Sequence, residues 1–174
     1  RGIRPSLAME TPQIYAADFD KDSGQFGLIM EDLSLRNVVF PNATTDISLD
    51  QIKGLLRTLA DLHTQFWQSP RLLTDLAWIA TPLAGGMSDI FQQYGYELVK
   101  DQVSRHPFKQ ELIAPLNLSL DSMAGHLHAF QLEAIQQPQT LLHGDTHIAN
   151  TYLPRNADGG LFDWQLLCRG NWAH

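Results

Sequence analysis

The sequence predicts an α+β chain, and three observations carry that prediction. Two strand-like runs flank a polar turn near the amino terminus, Gln13 to Ala17 and Phe26 to Met30. The middle of the chain places apolar residues at helical spacing in three separate stretches. From Thr140 onward the pattern returns to very short β-like runs, and these hold most of the concentrated polar chemistry.

Each element has its own local signal. Asp18 to Gly24 is polar and ends in Asp22-Ser23-Gly24, which is turn chemistry, so the first two runs read as a hairpin whose second strand continues into Glu31-Asp32-Leu33. A helix start is marked at Ser48, because Ser48 and Gln51 form a capping box and Ile47 with Ile52 can staple the entry. Ile52, Leu55, Leu56, Leu59, Leu62, His63 and Phe66 then trace one apolar face, and Pro70 marks the stop. A second helix is expected over about Asp89 to Ser104 with Ile90, Phe91, Tyr94 and Leu98 inward. A third is expected over about Leu120 to Ile135 with Met123, Leu127, Phe130 and Ala134 on one side, ended by Gln136-Gln137-Pro138. Thr140 to His143 reads as a strand and leads into a polar loop that reaches Asn150. Tyr152-Leu153 and Leu161-Phe162 read as two tiny strands around the turn Arg155-Asn156-Ala157-Asp158-Gly159-Gly160.

Composition excludes several classes of function. The chain has 174 residues, 44% hydrophobic and 18% charged, enough apolar material for a packed core and too much for a disordered segment. Twelve basic against nineteen acidic residues leave a net charge of −7, which argues against a nucleic-acid binder that neutralises phosphates and mildly favours a cationic ligand. The single cysteine, Cys168, rules out a disulfide framework and a multi-cysteine zinc site. No stretch approaches the ~20 apolar residues that span a bilayer, and no apolar run of signal-peptide type follows Arg1-Gly2-Ile3-Arg4-Pro5. The sequons Asn42-Ala43-Thr44 and Asn117-Leu118-Ser119 matter only in a secreted chain. The expectation is a globular cytoplasmic protein without membrane or nucleic-acid partners.

The chemistry concentrates in Leu141-Leu142-His143-Gly144-Asp145-Thr146-His147-Ile148-Ala149-Asn150 and in Leu161-Phe162-Asp163-Trp164. An Asp and an Asn separated by four residues on one loop can converge on a point, and an Asp at the end of a nearby strand can join them. Phosphoryl transfer to a hydroxyl needs this set: a carboxylate to accept the hydroxyl proton and oxygen ligands to hold Mg²⁺ on the nucleotide phosphates. His143-x-Asp145-x4-Asn150 followed by Asp163 has the grammar of a protein-kinase catalytic loop and metal-binding strand end.

The chain resembles the aminoglycoside phosphotransferase and choline kinase-like group of small-molecule kinases. His143-Gly144-Asp145-x4-Asn150 is similar to that group's catalytic-loop signature, and Leu161-Phe162-Asp163-Trp164-Gln165 to its metal-binding strand end. Gly27-Leu28-Ile29-Met30-Glu31-Asp32-Leu33 resembles the strand and hinge that hold adenine, and Leu59 to Trp67 the first long helix of the large lobe. Arg169 to His174 resembles the approach to a further Asp. The resemblance implies a protein-kinase-like fold: a hinge hairpin, then a mostly helical large lobe with a small β catalytic-loop module, the amino-terminal lobe largely missing. Residues 1–34 would be the end of the small lobe and the hinge, and 35–174 the large lobe, cut short at its carboxyl end. At this length the chain is expected to be part of a longer protein.

Carried over by the same resemblance, Asp145 is the general base or hydroxyl-orienting carboxylate, Asn150 and Asp163 are Mg²⁺ ligands, and His143 braces the loop. The Glu31 carbonyl and Leu33 amide would receive adenine, with Met30 at the gatekeeper-like position. The cofactor implied is Mg²⁺ and the co-substrate ATP or GTP; the acceptor is a small-molecule hydroxyl, with aminoglycosides, choline, ecdysteroid-like steroids, sugars and homoserine-like alcohols in the implied range. No Gly-x-Gly-x-x-Gly loop occurs, and none of Lys21, Lys53, Lys100 or Lys109 lies in an early strand where a phosphate-pairing lysine belongs.

Two rival readings exist. His143-x-Asp145-x-His147 alternates like a metal-binding strand, so a metal-dependent hydrolase completed by His126 and His128 is the alternative enzyme. Gly144 and Asn150 favour a loop over a strand, and His126 and His128 lie two apart on a helical pattern and point to different faces. The second rival is a kinase-like scaffold without activity, against which the intact Asp145, Asn150 and Asp163 stand. His63 reads as a hydrogen-bonded core histidine, and Trp67, Trp78, Trp164 and Trp172 as packing residues.

Overall fold

The structure is a computed structural model that describes residues 7–155 and 158–173, without the side chains of 86 and 91–93. Asn156 and Ala157 of the anticipated turn, the first residues and His174 lie outside the described part. The element order is β-rich, then helical, then β-rich, as the sequence predicts. The chain forms two compact units: residues 1–65 with 145–165, and residues 66–144 with 166–174.

In the first unit, β1 (Ile14–Phe19) and β2 (Phe26–Met30) form an antiparallel pair, with Phe19 opposite Phe26 and a register irregularity between Ile14 and Ala16. Asp20 ties the turn, accepting the amide of Asp22 (2.9 Å) and the hydroxyl of Ser23 (2.5 Å) through its carboxylate. These hydrogen bonds hold the Asp20 carboxyl below its ordinary pKa. A 3₁₀ turn, Leu33–Arg36, follows, capped by the Asp32 carboxylate on the Ser34 amide (2.9 Å). Helix α1 (Leu49–Phe66) begins as its capping box requires: the Ser48 amide donates to Gln51 Oε1 (2.9 Å) and the Gln51 amide to Ser48 Oγ (3.2 Å).

The buried stripe of α1 is narrower than its apolar spacing suggests. Leu55, Leu62 and Phe66 are buried, whereas Ile52 and Leu56 are exposed. A polar residue, Thr58, takes a buried place in the stripe, its hydroxyl donating to the Gly159 carbonyl (2.6 Å). The unit's last sheet pairs β4 (Thr151–Tyr152) with β5 (Gly160–Leu161), Thr151 opposite Leu161.

The second unit is mostly helical. Ser69 caps the 3₁₀ turn Pro70–Leu73. The preceding helix has already ended at Phe66, followed by left-handed Gln68 (φ 48°), so Pro70 opens the turn and is not itself the stop. α2 (Gly85–Asp89) runs through a π-helical stretch, Ile90–Gly95, into α3 (Tyr96–Arg105). Gly95 suits the widened turn, because a Cβ there would lie 2.6 Å from the Ile90 carbonyl oxygen. The expected inward face is not formed: Ile90, Tyr94 and Leu98 are exposed, and the Phe91 side chain lies outside the described part. α4 (Pro107–Ile113) has no counterpart in the sequence expectation; α5 (Leu120–Ala134) does, and Ser119 caps it through the Ser122 amide (3.0 Å). Its buried positions are Gln131 and Ala134, while Leu127 and Phe130 face solvent. Antiparallel strands β3 (Thr140–Leu142) and β6 (Cys168–Gly170) close the unit. Met87, Leu142 and Cys168 pack together with Leu166 against them. Burial pushes the Cys168 thiol up to about 11, which leaves it a small hydrophobe.

Candidate functional site

The loop that carries the chemistry begins at the end of β3. His143 is fully buried, and Gly144 adopts a left-handed conformation (φ 86°). A Cβ at 144 would sit 1.9 Å from the Leu166 carbonyl oxygen and 2.7 Å from its carbon, so backbone meets backbone there and only glycine fits.

From Asp145 the chain turns through a short 3₁₀ segment, Ile148–Asn150. His147 caps it, its Nδ1 accepting the Ala149 amide (3.2 Å), while the Asn150 amide donates to the His147 carbonyl (3.0 Å) and the Thr151 hydroxyl to the Ile148 carbonyl (2.7 Å). This folding brings Asn150 back onto Asp145. The Asn150 Nδ2 group donates to the Asp145 carbonyl (2.9 Å) and to Asp145 Oδ2 (3.0 Å). Asn150 is buried, and about a third of the Asp145 side chain is exposed. With Nδ2 committed to Asp145, the amide presents Oδ1 as its remaining oxygen.

Asp163 arrives from the other side of the same module. The Phe162 amide donates to the Asn150 carbonyl (3.1 Å), so the residue before Asp163 is tied to the residue that clamps Asp145. Phe162 is further held edge-on against Phe40, with ring centroids 5.9 Å apart, and beside Tyr152 at 6.4 Å. Asp163 itself is exposed and left-handed (φ 61°), a conformation few side chains other than Asp and Asn accept. The loop, Asn150 and the strand end therefore form one connected construction, and its donor set (an amide oxygen and a carboxylate) suits a hard cation such as Mg²⁺.

The hinge-like segment lies at the end of β2. The Glu31 amide donates to the Gln13 carbonyl (2.8 Å), but the Gln13 amide donates to the Glu31 carboxylate (3.0 Å). The Glu31 side chain thus takes the place its own carbonyl would have in the ladder. Met30 is exposed, and Leu33 is buried at the start of the 3₁₀ turn.

Sequence reasoning missed the polar supports of this unit. Arg36 binds Glu10 (2.5 Å) and lies 3.6 Å from Glu31, and the buried Tyr152 donates its phenol to Glu10 (3.1 Å). Burial, with Glu10 beside it, pushes the Tyr152 phenol well above its ordinary pKa. Arg57 grips Asp158 through two nitrogens, which holds that carboxyl below its usual range. The one available signal for Thr58 was a hydroxyl residue inside an apolar helical stripe. Glu10 and Arg36 carried none, since their partners are distant in sequence.

His63 is half-buried, and burial lowers its pKa, in keeping with a core histidine. Among the described residues, no group of three or more His, Cys, Asp and Glu side chains is gathered so as to hold a metal ion, and His126 and His128 are exposed on α5. The metallohydrolase alternative therefore gains no centre from the described residues. No helix among them is long and apolar enough to cross a membrane.

A family model described as the phosphotransferase enzyme family, APH, matches residues 3–174. No curated protein and no solved structure gives a significant match. A match that spans nearly the whole chain, over a loop of the built form described above, places this protein: it belongs to the phosphotransferase enzyme family, the aminoglycoside phosphotransferase and choline kinase-like group.

Proposed function

We propose that the chain is the hinge and catalytic part of a small-molecule kinase that moves the γ-phosphoryl group of ATP, or of GTP, to a hydroxyl of a small alcohol. The observation that carries this reading is the Asn150 amide clamped on Asp145 while its backbone is tied to the residue preceding Asp163. In this reading Asp145 orients the acceptor hydroxyl and accepts its proton, which the hydroxyl loses late in a loose transition state, so an ordinary carboxylate suffices. Asn150 fixes that carboxylate through Nδ2 and, with Oδ1 and Asp163, offers oxygen ligands for Mg²⁺. When bound, the cation neutralises nucleotide phosphate charge. His143 braces the loop from its buried place.

At the hinge, the displacement of the Glu31 carbonyl from the β ladder supports its use as an adenine acceptor, with the Leu33 amide as donor and Met30 beside them. Residues 1–34 serve as the end of a small lobe and its hinge, and 35–174 as large-lobe structure. The acceptor class remains the group's range of aminoglycoside, choline and ecdysteroid-like alcohols, with a cationic one favoured by the charge of −7. A reduced, buried Cys168 suits a cytoplasmic setting.

The test is Asp145→Asn in the full protein, assayed by phosphoryl transfer from radiolabelled ATP to a panel of these alcohols. Turnover is expected to fall about a thousandfold while Mg²⁺–nucleotide binding, measured by thermal shift, is kept. Retained turnover overturns the assignment of Asp145.

A further inference from the structure

His147 is not used by the scheme above, yet one of its ring nitrogens caps the loop and the other faces Asp145. Nδ1 accepts the Ala149 amide at 3.2 Å. A nitrogen that accepts a backbone N–H carries no proton itself, so the neutral ring holds its proton on Nε2. That Nε2 lies 3.6 Å from Asp145 Oδ2, the same oxygen that receives the Asn150 Nδ2 group at 3.0 Å. The separation exceeds a direct hydrogen bond, and the ring is more than half exposed.

We propose that His147 is a positioning residue for Asp145, a second donor that holds the carboxylate by Oδ2 together with Asn150. The proposal rests on Asp145 being the base. The tautomer also fixes what His147 does not do. Its Nε2 already bears a proton, so it does not take on the proton that Asp145 receives from the acceptor; it orients the carboxylate and does not relay. Capping alone would be served by Asn, Ser or Asp, which lack the second, oppositely directed nitrogen that reaches Asp145.

Two substitutions divide the ring between its two roles. His147→Asn keeps an acceptor near the place of Nδ1 and loses the group that reaches Asp145. His147→Gln keeps a donor near the place of Nε2 and weakens the cap. In MgATP turnover with an alcohol that the unaltered protein phosphorylates, His147→Asn is expected to lower kcat about tenfold with KM for MgATP within about twofold, and His147→Gln to stay within about threefold of the parent. Full activity in His147→Asn, or equal loss in both variants, overturns the proposal and leaves His147 a cap.

A second measurement needs no turnover. Long-range ¹⁵N–¹H spectra of the full chain should show the His147 proton on Nε2, with a resonance that moves in Asp145→Asn. A ring protonated on Nδ1, or a resonance indifferent to that change, also overturns the proposal. If this signature is present and MgATP turnover is absent in the parent protein, the kinase reading fails and the positioning role falls with it, leaving only the His147–Asp145 contact. If turnover is present and the signature absent, the kinase reading stands and the proposal alone fails.

Discussion

The first unit contains two antiparallel two-stranded sheets that differ in almost every respect except topology. The β1–β2 hairpin pairs Phe19 with Phe26 and runs on to Met30, yet every residue of β2 is exposed, Phe26 at 80%. The β4–β5 pair has only two residues in each strand, and all four are buried. A bare hairpin is marginal in water, so the longer sheet depends on its Asp20 turn and on the Glu31–Gln13 exchange at its open end. The short sheet is held by what surrounds it: the Thr58 hydroxyl on Gly159, the Tyr152 phenol on Glu10, and Phe162 between two rings. Burial and polar anchoring, more than strand length, hold a sheet in place.

Substitutions that break this contrast should rank accordingly. Leu161→Ala empties a fully buried place in β5 and is expected to cost about 3 kcal/mol of unfolding free energy in urea. Under the proposed role of Asp163, which lies two residues on, it should also weaken Mg²⁺–nucleotide stabilisation. Thr58→Val keeps the shape of the side chain and deletes the hydroxyl that binds the Gly159 carbonyl, so a smaller loss of about 1.5 kcal/mol is expected in the same measurement. Phe26→Ser acts on the exposed sheet and should change stability by less than about 0.5 kcal/mol, despite removing an aromatic ring. A large loss for Phe26→Ser, or none for Leu161→Ala, would reverse the contrast.

What was legible in the sequence follows the same division. The capping box at Ser48 and Gln51, the Asp22-Ser23-Gly24 turn and the loop from His143 to Asn150 announce themselves because each depends on residues close in sequence. The strand β6 does not, since Cys168-Arg169-Gly170 has no alternation and is fixed only by pairing with Thr140 to Leu142. The inward faces assigned to Tyr94, Leu98, Leu127 and Phe130 failed because apolar spacing predicts which residues share a face and not whether that face is covered. The requirement for glycine at 144 was invisible for a related reason: the clash comes from the Leu166 carbonyl, which the chain reaches only after Asp163.

The left-handed backbone at Asp163 has a consequence for how damage to this protein would be noticed. The position accepts Asp, Asn and Gly with little strain, and of these only Asp brings a negative charge. In a library of variants selected for soluble expression, Asn and Gly at 163 should survive beside the parent, while a library selected for phosphoryl transfer should reject both. Under the role proposed for Asp163, loss of function at this site would then be silent to every assay of folding, and a census of well-behaved variants would count the position as tolerant.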